Sequence, residues 1–302
     1  MKPEIRRDPI TGRPVLMAPE RAARVGAMLA RADFPDDEAD CPFCEGREDR
    51  TPAELHVLRP HGLPANGPGW SVRVVPNRYP AGRDDVGRHE LIIECPGHQP
   101  TLAELSVEQR AAVLNVVRDR WNAHRADGRW KCAQWFKNHG PAAGASLSHA
   151  HSQMVVLPDL PPAIAAEVAA MQSSHCPFCS LIDREVTETS RIVRQTEEFA
   201  MIVAFAGRFP FETWLLPRRH ALMFEHTTSL AAELHWLLNR IDVVLDRPAY
   251  NLILHAGPWT GDDFHWHFEL LPRVTGIAGF ELGAGMFINP VLPEEAAETL
   301  RG

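Results

Sequence analysis

The tetrapeptide Cys-Pro-Phe-Cys occurs twice in this chain, starting at Cys41 and again 135 residues later at Cys176. In each half a histidine follows at a distance, His98 or His220, and then a His-x-His triplet, His149-Ala150-His151 or His265-Trp266-His267. Two thiolates and two imidazoles are the donor set of a tetrahedral zinc site. We therefore expect zinc at Cys41, Cys44, His98 and His149, and zinc or another divalent metal at Cys176, Cys179, His220 and His265. A thioredoxin-like redox pair is the competing use of Cys-x-x-Cys, and the downstream histidines argue against it. Cys95 and Cys132 have no partner at ligand spacing and read as small core residues.

The triplets suggest a second chemistry. Side chains two apart on a strand share a face, so one ring can be held by metal while its neighbour stays free. The first triplet lies in Gly144-Ala-Ser-Leu-Ser-His-Ala-His-Ser-Gln153. Small residues there let the backbone approach an anion, Ser146 and Ser148 offer hydroxyl donors, and Gln153 places a neutral amide on the face of His151. That combination suits phosphoryl chemistry, for which a neutral imidazole is a good nucleophile near pH 7.

The elements that must carry these residues also recur. Each half runs from the cysteine pair through an Arg-aromatic-Pro turn (Arg78-Tyr79-Pro80; Arg208-Phe209-Pro210) and an apolar strand to the lone histidine, then an amphipathic helix, a strand and the triplet. Ser106 is the expected N-cap of the first helix. The order predicts an α+β fold of two similar units, 1–160 and 172–302, each an antiparallel sheet with few helices, joined through a helix over 164–171. With 302 residues, 45% hydrophobic and 23% charged, the chain can bury a sizeable core. Its 31 Lys and Arg against 39 Asp and Glu give a net charge of −8, which disfavours nucleic acid as a partner. No membrane span and no secretory signal are legible, so a cytoplasmic protein with reduced thiols is expected.

These motifs resemble the duplicated branch of the histidine-triad superfamily, the galactose-1-phosphate uridylyltransferases and the ADP-glucose phosphorylases. The likeness spans nearly the whole chain: Arg21-Ala-Ala-Arg24, the first Cys-Pro-Phe-Cys, Asn77-Arg-Tyr-Pro-Ala81, His98, Asn138-His-Gly140, His149-Ala-His-Ser-Gln153, Gly279-Phe-Glu-Leu-Gly283 and Ile288-Asn-Pro-Val-Leu-Pro. It implies a structural zinc on the first Cys2His2 set and His151 as the nucleophile toward the α-phosphorus of a nucleotide sugar. Gln153, where hydrolases usually carry histidine, is the transferase mark. Asn77, Asn138, Gly144 and Ser146 would contact the substrate, and Glu281 the sugar hydroxyls. His267 occupies the second unit's nucleophile position, but Phe268-Glu269 follows it in place of Ser152-Gln153, so it is expected to be catalytically silent. A homodimer is implied as well.

Two positions depart from the uridylyltransferase pattern: Ala150 stands where proline is usual, and Phe287 where a sugar-reading glutamine is expected. The leading expectation is a nucleotidyltransferase working between a nucleotide sugar and a sugar 1-phosphate, as a hexose-1-phosphate uridylyltransferase. A phosphorylase or hydrolase, with phosphate or water as acceptor, is a second reading. A zinc-stabilised nucleotide-binding module without turnover is a third. Uridine and adenosine are not distinguished by the residues alone.

Overall fold

A computed structural model describes residues 2–24, 38–99, 101–172, 175–259, 261 and 263–302; Pro100 of the motif after His98 lies outside this set. Strands β1 (Glu4–Arg7) and β2 (Pro14–Met17) come first. The first unit follows with β3 (His56–Leu58), β4 (Val72–Pro76), β5 (Arg88–Ile93), helix α1 (Val107–Asp127), β6 (Cys132–His139) and β7 (His151–Leu157). Helices α2 (Pro162–Met171) and α3 (Pro177–Glu188) lead to the second unit: β8 (Ile192–Gln195), β9 (Phe199–Val203), β10 (Thr213–Pro217), α4 (Thr228–Leu245), β11 (Tyr250–His255) and β12 (His267–Pro272). Helix α5 (Gly279–Ala284), β13 (Phe287–Asn289) and α6 (Pro293–Arg301) close the chain.

The repeat read from the sequence is a repeat of strand order. The first unit runs β3-β4-β5-β7-β6 across its sheet and the second runs β8-β9-β10-β12-β11. All these pairings are antiparallel, and the fold is α+β. The two sheets do not stand apart. β6 pairs with β11 so that Lys137 faces Leu252, and ten strands become one sheet. Strands β1 and β2 form a second, three-stranded sheet with β13, and Val15 and Met17 pack with Ala206 and Leu292. Strands β1 and β2 thus sit with the second unit's end of the fold.

One face of the large sheet carries α1 and α4. Helix α1 begins where Ser106 Oγ accepts from Gln109 N–H (3.1 Å) and ends at Gly128, whose φ of 72° is left-handed. Between these caps Val113, Leu114, Val117 and Trp121 are buried with Val74, Ile92, Trp135 and Met154 of the sheet. Helix α4 contributes Leu230, Leu234, Leu237 and Ile241 to the same core. One continuous apolar layer under both units favours one continuous sheet.

The opposite face differs between units. In the second unit α2 and α3 cover it, burying Met171, Phe178, Leu181 and Ile182 against Ala200, Ile202, Trp214 and Leu216. In the first unit, Leu91, Gln134, Phe136, Asn138, Gln153 and Val155 remain half-buried on it. Among the described residues no helix is long and apolar enough to cross a membrane. Removing the cap of α1 by Ser106→Ala should lower unfolding stability by about 1 kcal/mol, read as a lower urea midpoint with unchanged m-value; an unchanged midpoint would show that the cap contributes nothing.

Candidate functional site

The first Cys-Pro-Phe-Cys turn lies against the mouth of β7. Cys41 Sγ is 3.5 Å from His149 Nδ1, and Cys44 Sγ lies 3.5 Å from His98 Nδ1 and 3.6 Å from His149 Nδ1. These four side chains bring one ligand atom each within 4.8 Å of one another, a group able to hold a metal ion. The remote nitrogen of each ring is already tied. His149 Nε2–H donates to Cys95 O (2.9 Å), and His98 Nε2 pairs with Ser148 Oγ (2.9 Å). A carbonyl can only accept, so the first of these bonds fixes the His149 tautomer that leaves Nδ1 facing the sulfurs, while the second holds the His98 ring in place.

Two residues do more here than their types alone suggested. Ser148 is buried with its Oγ 2.9 Å from His98 Nε2, so it holds one of the ligand-type rings in place. Cys95 is buried as expected, with its thiol pushed up to about 12 by burial. It also serves the site, since its carbonyl orients His149.

The second group repeats the first. Cys176 Sγ and Cys179 Sγ are each 3.5 Å from His265 Nδ1, and Cys179 Sγ is 3.7 Å from His220 Nδ1. His265 Nε2–H donates to Pro217 O (2.8 Å), and Asp263 Oδ1 lies 2.8 Å from His220 Nε2. Asp263 was not singled out from the sequence; a carboxylate two residues before a ligand on the same loop is the signal that could have found it.

His151 opens β7 on the uncovered face. Its Nδ1–H donates to His149 O (2.8 Å), which leaves Nε2 with the lone pair. Phe43 of the cysteine turn packs edge-on against its ring, with centroids 5.3 Å apart. Behind the strand, Lys137 donates to His151 O (2.9 Å) and pairs with Glu94 (2.7 Å), both side chains fully buried. Burial, reinforced by the Lys137 charge, pushes His151 down to about 4.

The loop before β7 is built around glycine. After β6, Gly140 enters a single 3-10 turn over Pro141–Ala143 that ends at Gly144, whose φ of +87° an L side chain would strain. Ser146 is exposed on this loop. Asn138, at the end of β6, accepts at Oδ1 from Asn251 Nδ2 (2.9 Å), and Asn251 also donates to Ala143 O (2.9 Å). A residue of β11 therefore holds the first unit's loop, a link invisible before the two sheets are known to merge. Gln153, Asn77 and His89 meet on the same face: His89 Nε2 is 2.8 Å from Gln153 Oε1 and 3.2 Å from Asn77 Nδ2. Glu281 is not part of this group. Its carboxylate accepts from Ala278 N–H (3.0 Å), and its short helix lies beside β13.

The second triplet has the same backbone and a different setting. His267 Nδ1–H donates to His265 O (3.1 Å), but the ring is fully buried, with Phe178 of α3 at 4.7 Å and Trp214 at 5.6 Å between centroids. Glu167 of α2, His255, His267 and Glu269 form a third group of ligand-type atoms within 4.8 Å. His255 Nδ1–H donates to Glu167 (2.7 Å) and its Nε2 lies 3.5 Å from Glu269, while Arg208 bridges Glu212 and Glu269. Burial alone would lower His255, yet the two carboxylates hold it up at about 9. The sequence reading missed this group because Glu167 lies on the linking helix, outside both repeats.

Two histidine-triad-like units fused through one sheet, the second with its outer face covered by α2 and α3 and the first without such a helical cover among the described residues, define a duplicated histidine-triad protein. A family model described as the N-terminal domain of a domain of unknown function, DUF4931, matches residues 65–160. The ADP-glucose phosphorylase of Arabidopsis thaliana is 30% identical over 99% of this chain and 92% of its own length. The galactose-1-phosphate uridylyltransferase of Thermotoga maritima is 28% identical, covering 99% and 98%. The crystal structure of the Arabidopsis phosphorylase with bound ADP-glucose superposes with a TM-score of 0.84 over 99% of this chain and 98% of that one, at 30% identity. The chain belongs to the family of galactose-1-phosphate uridylyltransferases and ADP-glucose phosphorylases.

His255→Gln leaves two buried carboxylates short of a cation and should cost about 3–5 kcal/mol. Because the folded pKa of about 9 lies above the ordinary value near 6.5, that stabilisation is complete below pH 6.5 and lost as pH rises through 9. Urea midpoints of wild type and variant should converge between those limits; a gap that stays constant from pH 6 to 10 would show that His255 is not protonated in the fold.

Proposed function

We propose that this protein is a nucleotidyltransferase in which His151 Nε2 attacks the α-phosphorus of a nucleoside diphosphate hexose. The N–P bond forms as the bond to the leaving oxygen breaks, releasing hexose 1-phosphate and leaving a nucleotidyl-histidine. An incoming phosphate oxygen of the acceptor then takes the nucleotidyl group and frees the imidazole. The observation that carries this reading is the bond from His151 Nδ1–H to His149 O, which leaves Nε2 unprotonated with its lone pair free to attack. A sugar phosphate leaves as a stabilised anion, so positioning and charge neutralisation matter more than a dedicated acid.

In this reading Gln153, Asn77, Asn138, Ser146 and the backbone at Gly144 receive the phosphates and nucleoside. The first unit, within 1–160, is catalytic, and the second, within 172–302, is silent because His267 is sealed beneath Phe178 and Glu167. Glu281 would read the sugar hydroxyls, since a carboxylate can accept from two of them, and the chain would work as a homodimer. The acceptor in the first reading is a hexose 1-phosphate, with uridylyl transfer. The likeness to the Arabidopsis phosphorylase, with Phe287 in the place of a glutamine, favours inorganic phosphate and an adenylyl group as the second.

We also assign zinc to both Cys2His2 groups. With Zn–S near 2.3 Å and Zn–N near 2.0 Å, a tetrahedral site has S···N edges of about 3.5 Å, and the edges here run from 3.5 to 3.7 Å. Bound zinc would fasten the cysteine turn to the mouth of β7 and so fix where His151 points.

Elemental analysis of protein purified without chelator should give close to two zinc ions per chain. Cys41→Ser should remove one of them and destabilise the fold, since a structural site contributes folding free energy directly. A value near zero in wild type would refute the assignment.

Incubated with UDP-glucose or ADP-glucose and no acceptor, the protein should release one hexose 1-phosphate per active site in a burst and acquire one nucleoside monophosphate, acid-labile and alkali-stable. Adding galactose 1-phosphate or inorganic phosphate should discharge the adduct, and the faster acceptor separates the two readings. His151→Asn should abolish the adduct with metal content intact. An adduct mapped to His267 would falsify the choice of nucleophile.

A further inference from the structure

His89 stands on the same face as Gln153, and both of its ring nitrogens are committed to the site's own framework. It stands on β5, directly opposite Val155 of β7, with Gln153 opposite the adjacent same-face residue Leu91. Its Nδ1 accepts from Ala81 N–H (3.0 Å). A backbone amide can only donate, so Nδ1 carries no proton. A neutral imidazole has one proton, which must then sit on Nε2. Burial lowers the pKa of His89, consistent with the neutral ring this bond requires.

The orientation of Gln153 follows. Nε2–H of His89 donates to Gln153 Oε1 at 2.8 Å, which occupies the amide oxygen and leaves the NH2 group as the end available to a ligand. Asn77 is fixed by a parallel argument: its Oδ1 accepts from Tyr79 N–H (2.8 Å), so its NH2 group is the end beside His89. At 3.2 Å from a nitrogen that already carries a proton, this NH2 cannot donate to His89 and keeps its hydrogens for another acceptor. Two amide oxygens are thus consumed internally, and two NH2 groups remain on one face as donors only.

We propose that His89 is a positioning residue that locks Gln153, beside Asn77, as a donor to the anionic oxygens of a nucleoside diphosphate at His151. This rests on the nucleotidyl-transfer reading and adds to it the reason the amide cannot flip. A freely rotating glutamine would offer its oxygen to a phosphate for part of the time, and two acceptors facing each other repel. Locking removes that state, and the gain is realised where charge builds on the phosphoryl oxygens. The backbone is part of the same device, since Ala81 belongs to the Asn77-Arg-Tyr-Pro-Ala81 motif and Asn77 N–H donates to His89 O (2.8 Å).

The test measures the burst of hexose 1-phosphate from UDP-glucose and ADP-glucose in wild type, His89→Leu and His89→Gln. Leucine removes the donor to Gln153 and should slow the burst by about 10- to 100-fold, a fraction of the loss seen when an oxyanion donor itself is removed, with a smaller change in KM. Glutamine can accept from Ala81 N–H and donate to Gln153, and should restore most of the rate. Metal content and urea midpoint, measured on both variants, separate positioning from misfolding. Nitrogen-15 NMR of the histidines in wild type reads the tautomer directly. An Nε2–H tautomer with a slow leucine variant and a rescued glutamine variant supports the proposal; an Nδ1–H tautomer, or a leucine variant as fast as wild type, overturns it. A wild type that gives no burst with either sugar overturns the nucleotidyl-transfer reading, while the tautomer still decides how Gln153 is held.

Discussion

A neutral imidazole has a single proton, and the backbone of this protein decides which nitrogen carries it. His149 and His265 give their Nε2–H to the carbonyls of Cys95 and Pro217, leaving Nδ1 for a metal. His151 and His267 give Nδ1–H to the carbonyls of His149 and His265, leaving Nε2 bare. Adjacent histidines of one triplet therefore face different chemistry with opposite nitrogens, although they are the same residue two positions apart. Carbonyls in fixed backbone do not rotate away, so the choice costs no reorganisation when a ligand arrives.

The buried Lys137–Glu94 pair holds this backbone in place from behind. Lys137 donates to His151 O while Glu94 neutralises it, on the face packed by α1 and α4. An ion pair so deep is weak support for stability against an apolar replacement, and losing either partner would leave a bare buried charge. Its contribution here is geometric: it fixes the first residue of β7 against β6, and with it the direction of the free nitrogen.

The two units share strand order and triplet geometry and differ in what covers them. Helices α2 and α3 lie over the second unit's face, where Phe178 and Glu167 close on His267. The first unit's corresponding face stays half-exposed around Gln153 and Asn138. Duplication thus produced one strand that can meet a ligand and one committed to a buried charge network, in which Arg208 and His255 answer Glu167, Glu212 and Glu269. The merged sheet couples the two, because Asn251 of the covered unit holds Asn138 and the loop of the open one.

Much of this was legible in the chain itself. Paired cysteines, spaced histidines and their recurrence 135 residues later were enough to assemble both Cys2His2 groups, and the cap at Ser106 was visible as a local pattern. Those features depend on residue type and short-range geometry, which sequence carries directly. The merging of the sheets through β6 and β11, the capture of Ser148 by His98, the Glu167–His255 pair and the His89–Gln153 bond were not legible. Each joins residues dozens of positions apart or more through strand pairing or helix docking, and only the packed fold brings them within a hydrogen bond. Which of two like histidines can meet a ligand was decided there too, because access depends on what the rest of the chain lays over each ring.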